Sequence, residues 1–109
     1  MMYGPQTIEI EALIEKIKCV TEKQAVELKS AWDANWNTAW EAAWIIAREA
    51  ARNAGRWAAR DAAHGAVWDS VAYGAARDAV LALLVKDKIS AEDFDTLYGP
   101  WKSAMEESE

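Results

Sequence analysis

The sequence predicts an all-α fold, a small helical bundle, and two observations carry that expectation. Alanine fills the middle of the chain while only five Gly and two Pro are present, and alanine is the strongest helix former and a poor strand former. The apolar residues also recur at spacings of three and four, the period of one helix face, instead of alternating as in a strand. At 109 residues the chain reads as a single domain, residues 1–109, that buries roughly two-thirds of its unfolded surface. A composition of 52% apolar and 28% charged residues is too hydrophobic for disorder.

The first helix is expected over about residues 7–19, where Ile10, Leu13, Ile14 and Ile17 line one face and Glu and Lys the other. Residues 1–6 are expected to fray. Thr21 with Gln24 three residues on forms a capping-box signature, so a second helix starts there. With no Gly or Pro before Gly55, it is read as one long central amphipathic helix running to at least Asn53. Gly55, Gly65 and Gly74 mark ends or kinks.

A further helix covers "VWDSVAYGAARDAVLALLV", with Val67, Trp68, Val71, Ala75, Ala79 and Ala82 on one side. Its stretch Val80–Val85 is apolar nearly all round and is therefore expected to be deeply buried. "KDK" is a turn, Ser90 with Asp93 caps the next helix, and Gly99–Pro100 is expected to break it before a last short helix and a frayed acidic tail at about 106–109.

Within this frame, residues 31–60 stand out. Trp32, Trp36, Trp40 and Trp44 run at four-residue spacing straight into Arg48, Arg52, Arg56 and Arg60. Each such step advances a helical side chain by about 40°, so on one continuous helix the tryptophans and arginines occupy opposite faces. The Trp face continues into Ala47, Ala50 and Ala54, small residues that permit close helix approach. Aromatics that each bury some 150–250 Å² need more cover than a short partner helix supplies. The tryptophans and these alanines are therefore expected to form core or oligomer interface, with homo-oligomerisation completing the bundle. Ile45 and Ile46 fall on the polar side and need a partner there.

The arginines repel one another along the helix by a few tenths of a kcal/mol per pair. Arg56 and Arg60 have no acid three or four positions away. Such unbalanced charge suits an anion or an acidic partner face, and makes Arg48, Arg52, Arg56 and Arg60, with Trp57, the candidate ligand-binding residues.

Other chemistry has little support. The net charge is −6, and only residues 48–78 are locally positive, with five Arg against four acids; general nucleic-acid binding needs a basic face. The single Cys19 excludes an intramolecular disulfide and a cysteine-based zinc site, and reads as a small core residue in a reducing cytoplasm. His64, the only histidine, has Asp61 as its sole acid at helical spacing, so no metal or nucleophilic role is expected. The pairs Glu9/Glu11 and Asp93/Asp95 read as solvated helix faces. No phosphate loop, GxSxG, HExxH or EF-hand pattern occurs, so neither enzymatic activity nor a cofactor is expected. "MMYGPQT" has no secretory pattern, and no run of about 18 apolar residues predicts a membrane span.

The run "AWEAAW…AREAARNA" followed by "DFDTLYGPW" resembles uncharacterised small Ala/Trp/Arg-rich helical proteins of phages and actinobacteria, over residues 31–101. That resemblance implies a phage-type accessory protein in the cytoplasm of a bacterial host. The combined expectation is a non-enzymatic, self-associating protein that sequesters an anionic, nucleotide-like ligand through Arg and aromatic side chains. A protein–protein inhibitor or acidic decoy engaging a host protein is the alternative, and a structural assembly protein the third.

Overall fold

The structure, a computed structural model, describes residues 3–66 and 73–106. Its regular elements are helices: α1 (Thr7–Lys18), α2 (Glu22–Ala34), α3 (Thr38–Asn53), α4 (Trp57–Ala66), α5 (Tyr73–Leu84) and α6 (Ala91–Trp101), with a 3-10 turn at Gly4–Gln6 and a π-type turn at Lys102–Glu106. The apolar spacing at the start gives α1, whose Ile10, Leu13, Ile14 and Ile17 are buried. Thr21 caps α2 through a reciprocal capping box with Gln24, and Ser90 caps α6 by accepting from the Asp93 amide.

α5 is the axis of the molecule and touches each of the other five helices. This explains its composition, since a helix surrounded on all sides has no face to leave polar. Val80 to Val85 are all buried, each large aliphatic there contributing about 1.5–3 kcal/mol by burial. Ala75, Ala76, Ala79 and Ala82 let neighbouring backbones come close. Val67, Trp68 and Val71 lie outside the described residues.

Four expectations change. The long central helix is two helices, because "ANWN" forms an elbow. Asn35 ends α2, and Asn37 takes an extended backbone (φ −154°, ψ −177°) and accepts from the Trp40 amide to start α3. Asn competes for backbone hydrogen bonds better outside a helix than within one.

α6 also passes through Pro100 instead of ending there. Proline has no N–H for the Thr96 carbonyl, and the Asn35 side chain donates to that carbonyl at 2.7 Å. The elbow thus satisfies the group that the proline orphans.

The N-terminus is tied down from Tyr3 onward. Tyr3 is buried, its amide donates to Thr7 Oγ1, and that hydroxyl donates to the Gly4 carbonyl at 2.6 Å. Gly4 takes φ +81°, a backbone that glycine alone adopts freely. Cys19 is exposed, not core; two residues past Ile17 puts it about 200° round the helix from the buried stripe. Residues 107–109 of the acidic tail lie outside the described residues.

The Trp/Ala face of α3 packs inward: Trp40, Ala43, Ala47 and Ala51 are buried, and α3 meets α5 and α6 of the same chain. A radius of gyration of 12.7 Å is close to the ~13 Å of a compact chain of this length. The hydrophobic core therefore closes within one chain.

Candidate functional site

The site grows from the elbow between α2 and α3. Asp78 projects from α5 and is fully buried. Its Oδ2 accepts from the indole N–H of Trp32 at 2.7 Å and of Trp40 at 2.8 Å, and its Oδ1 accepts from Arg77 at 3.3 Å. Burial pushes the Asp78 carboxyl above the usual carboxylate range, opposed by Arg77 and the two indoles. One carboxylate therefore fixes two tryptophans from two different helices. Gly74, one turn before it, leaves room for this arrangement: a Cβ there would lie 2.8 Å from the Trp32 ring.

With Trp32 and Trp40 fixed, the other two rings of the ladder form a surface. Trp36 sits in the elbow, 58% exposed, stacked on Trp40 at 4.3 Å between centroids with 22° between planes. Trp44 continues the series, 18° from parallel with Trp40 at 6.2 Å. These three rings, with Asn37, Glu41 and Arg77, line a groove of about 510 Å³, within the range of small-molecule sites. The indole N–H of Trp44 is shielded from solvent and has no acceptor among the described residues. The Glu41 side chain is exposed and makes no hydrogen bond or ion pair with the described residues.

The four arginines named from the sequence separate into different roles. Arg48 stacks over Trp44 at 4.8 Å and has no carboxylate partner among the described residues. Its Nε is buried without an acceptor among those residues. Arg52 and Arg60 both lie over the Trp57 ring, at 4.7 and 4.2 Å, so the π-system of Trp57 is already engaged and is a poor stacking surface for a ligand.

Arg56 is committed to the fold. It pairs with both oxygens of Asp87, at 2.6 and 3.0 Å, and donates to the Leu84 carbonyl at 3.1 Å. That bond holds the Asp87 carboxyl below its ordinary value. The acid that Arg56 lacks three or four positions away in sequence comes from the turn after α5.

The faces are thus not opposite, as one continuous helix would make them. The elbow and Gly55 break the ladder into separate helices, and Trp44 and Arg48, four residues apart on α3, touch as neighbours on one helix surface. Arg60 lies in the field of Arg48 and Arg77. Burial lowers its pKa, Asp61 opposes that, and the two guanidinium groups add to it. His64 is buried, and its Nε2 has no partner among the described residues. Burial first, then Arg60 and Arg77, lower its pKa from 6.5 to about 4, which keeps it neutral at pH 7.

Among the alanines, Ala47 is fully buried while Ala50 and Ala54 are half-buried, and the latter two line a second groove of about 480 Å³ with Ile45, Ile46 and Lys88. Ile45 and Ile46 are 43% and 47% exposed. Among the described residues there is no cluster of three potential metal ligands, and no helix is long and apolar enough to cross a membrane.

Sequence reasoning did not single out Arg77, Asp78, Asn37 or Glu41 as site residues. A signal existed for Asn37, in the two asparagines flanking Trp36. For Arg77 and Asp78 none existed, because their importance depends on α2 and α3 packing against α5. Comparison with protein-family models, with curated proteins and with solved structures finds no match.

Proposed function

We propose that this chain is a non-enzymatic binding protein that sequesters a planar, anionic, nucleotide-like molecule in the Trp36–Trp40–Trp44 groove. The observation that carries the reading is the meeting of a parallel aromatic stack with a guanidinium group in one groove of about 510 Å³. Stacking on indole contributes about 1–3 kcal/mol per base, and a guanidinium binds phosphate or carboxylate in a bidentate fashion. The ligand ring lies along Trp36 and Trp44, and its charge meets Arg77, with Arg48 one turn beyond. Trp57, Arg52 and Arg56 leave the proposed ligand set because none of them lines this groove, whereas Arg77 does and keeps the N–H groups that its contacts with Asp78 leave unused; Arg60 contributes only through its field. A phage-type accessory role, as the resemblance over residues 31–101 implies, accords with sequestration.

Isothermal titration calorimetry with a panel of nucleoside monophosphates tests this. The wild-type chain is expected to bind at least one, more weakly at high salt. Trp36→Ala, which removes a largely exposed ring, is expected to weaken that binding about 5- to 150-fold. Unchanged affinity in Trp36→Ala sinks the assignment of the groove.

Self-association belongs to the same proposal but moves to a different face. The exposed Ile45 and Ile46 beside Ala50 and Ala54 favour a second copy docking there. Sedimentation equilibrium is expected to show a dimer that Ile46→Glu dissociates; a wild-type monomer at micromolar concentration overturns it.

A further inference from the structure

The aromatic groove has one feature that a simple anion site does not explain, the carboxylate of Glu41 on its wall. A ligand seated between Glu41 and Arg77 needs negative charge at one end and hydrogen-bond donors at the other. Glu41 is accessible and unpaired among the described residues, so both its oxygens are free to accept. Asn37, one helical turn earlier on the same wall, has its Oδ1 committed to the Trp40 amide at 2.9 Å. Its Nδ2 makes no hydrogen bond with the described residues and is left as a donor on a residue that lines the groove.

The wall therefore offers two adjacent acceptors and one donor beside a stack of indoles. We infer that the groove selects a guanine nucleotide: the guanine N1–H and N2 amino group donate to the Glu41 carboxylate, O6 accepts from Asn37 Nδ2, the ring lies on the tryptophans, and the phosphate meets Arg77.

The other common bases do not match this wall. Adenine presents one donor and turns the N1 lone pair toward the carboxylate. Cytosine has a single exocyclic donor beside an unprotonated N3. Uracil offers one N–H flanked by two carbonyl oxygens, both repelled by Glu41. An unmade bond to a charged group is costly, because that group loses solvent without gaining a partner.

The inference rests on the binding reading above, and one calorimetric series separates them. GMP, IMP, AMP and UMP are titrated into the wild-type chain and into Glu41→Gln. GMP is expected to bind at least tenfold tighter than AMP or UMP, with IMP, which lacks the N2 amino group, between them. Glu41→Gln, at an exposed position whose folding circular dichroism verifies, is expected to lose at least tenfold in GMP affinity while AMP affinity holds or rises. Equal binding of all four nucleotides, or an unchanged GMP preference in Glu41→Gln, overturns the guanine assignment and leaves the aromatic groove standing. Absence of binding by all four overturns both.

Discussion

The tetrapeptide Ala-Arg-Asp-Ala occurs twice, at residues 59–62 in α4 and 76–79 in α5, and the two copies do opposite things. In both, the arginine reaches the next residue's carboxylate at 3.3 Å. In α4 that carboxylate, Asp61, is 65% exposed and the pair is peripheral. In α5 it is Asp78, fully enclosed and holding two indoles from two other helices. Local sequence thus fixes which neighbours pair, while packing decides whether the pair is decoration or a keystone. A surface pair of this kind is worth little, whereas removing one partner of a buried one leaves several polar groups stranded.

That contrast breaks most visibly at the buried copy. Asp78→Ala strands the Trp32 and Trp40 indole N–H groups and unpairs Arg77, and is expected to cost about 3–5 kcal/mol in urea denaturation. Next comes Gly74→Ala. Its new Cβ meets a Trp32 ring that Asp78 prevents from moving, so strain of about 1–3 kcal/mol outweighs the ~1 kcal/mol gained in helix propensity. Arg56→Ala removes the Asp87 and Leu84 contacts and is expected to cost about 1–2 kcal/mol, without weakening nucleotide binding in calorimetry.

A pH effect follows from His64. Its folded pKa of about 4 lies below the ordinary 6.5, so the unfolded chain takes up the proton first. Its contribution is complete above pH 6.5 and is lost as pH falls toward 4, with a slope no steeper than about 1.4 kcal/mol per pH unit. Asp78, its pKa raised by burial, acts with the opposite sign, contributing less as pH rises from 3.8. The clean measurement is therefore the difference between the wild type and His64→Gln, whose stability curves are expected to diverge in slope between pH 6.5 and 4. The smallest effect belongs to the exposed copy: Asp61→Ala is expected to change stability by no more than about 0.5 kcal/mol.

What the chain reveals in advance follows the range of the forces involved. Capping at Thr21 and Ser90, the buried stripe of α1 and the enclosure of Val80–Val85 were all legible, because each depends on residues a few positions apart. The elbow was only half legible. The asparagines around Trp36 signal a turn, but an unbroken alanine-rich pattern on either side argues for continuity. The passage of α6 through Pro100 was not legible, since the acceptor is satisfied by Asn35, 61 positions earlier. The same holds for the site. The tryptophan ladder announced an aromatic feature, yet which rings would be locked and which left open depended on Asp78. Arg56, like Arg60, looked unbalanced, because its partner lies 31 residues away.

Two tryptophan–arginine clusters remain as rivals for a ligand: the open groove at Trp36 and Trp44, and the ring of Trp57 held by Arg52 and Arg60. The most direct test is a titration of GMP into ¹⁵N-labelled protein, following the indole N–H resonances assigned by single Trp→Phe variants. The groove account requires the Trp36 and Trp44 signals to move with ligand while those of Trp57 and Trp101 stay in place. Movement confined to Trp57, with Trp36 and Trp44 unchanged, contradicts it.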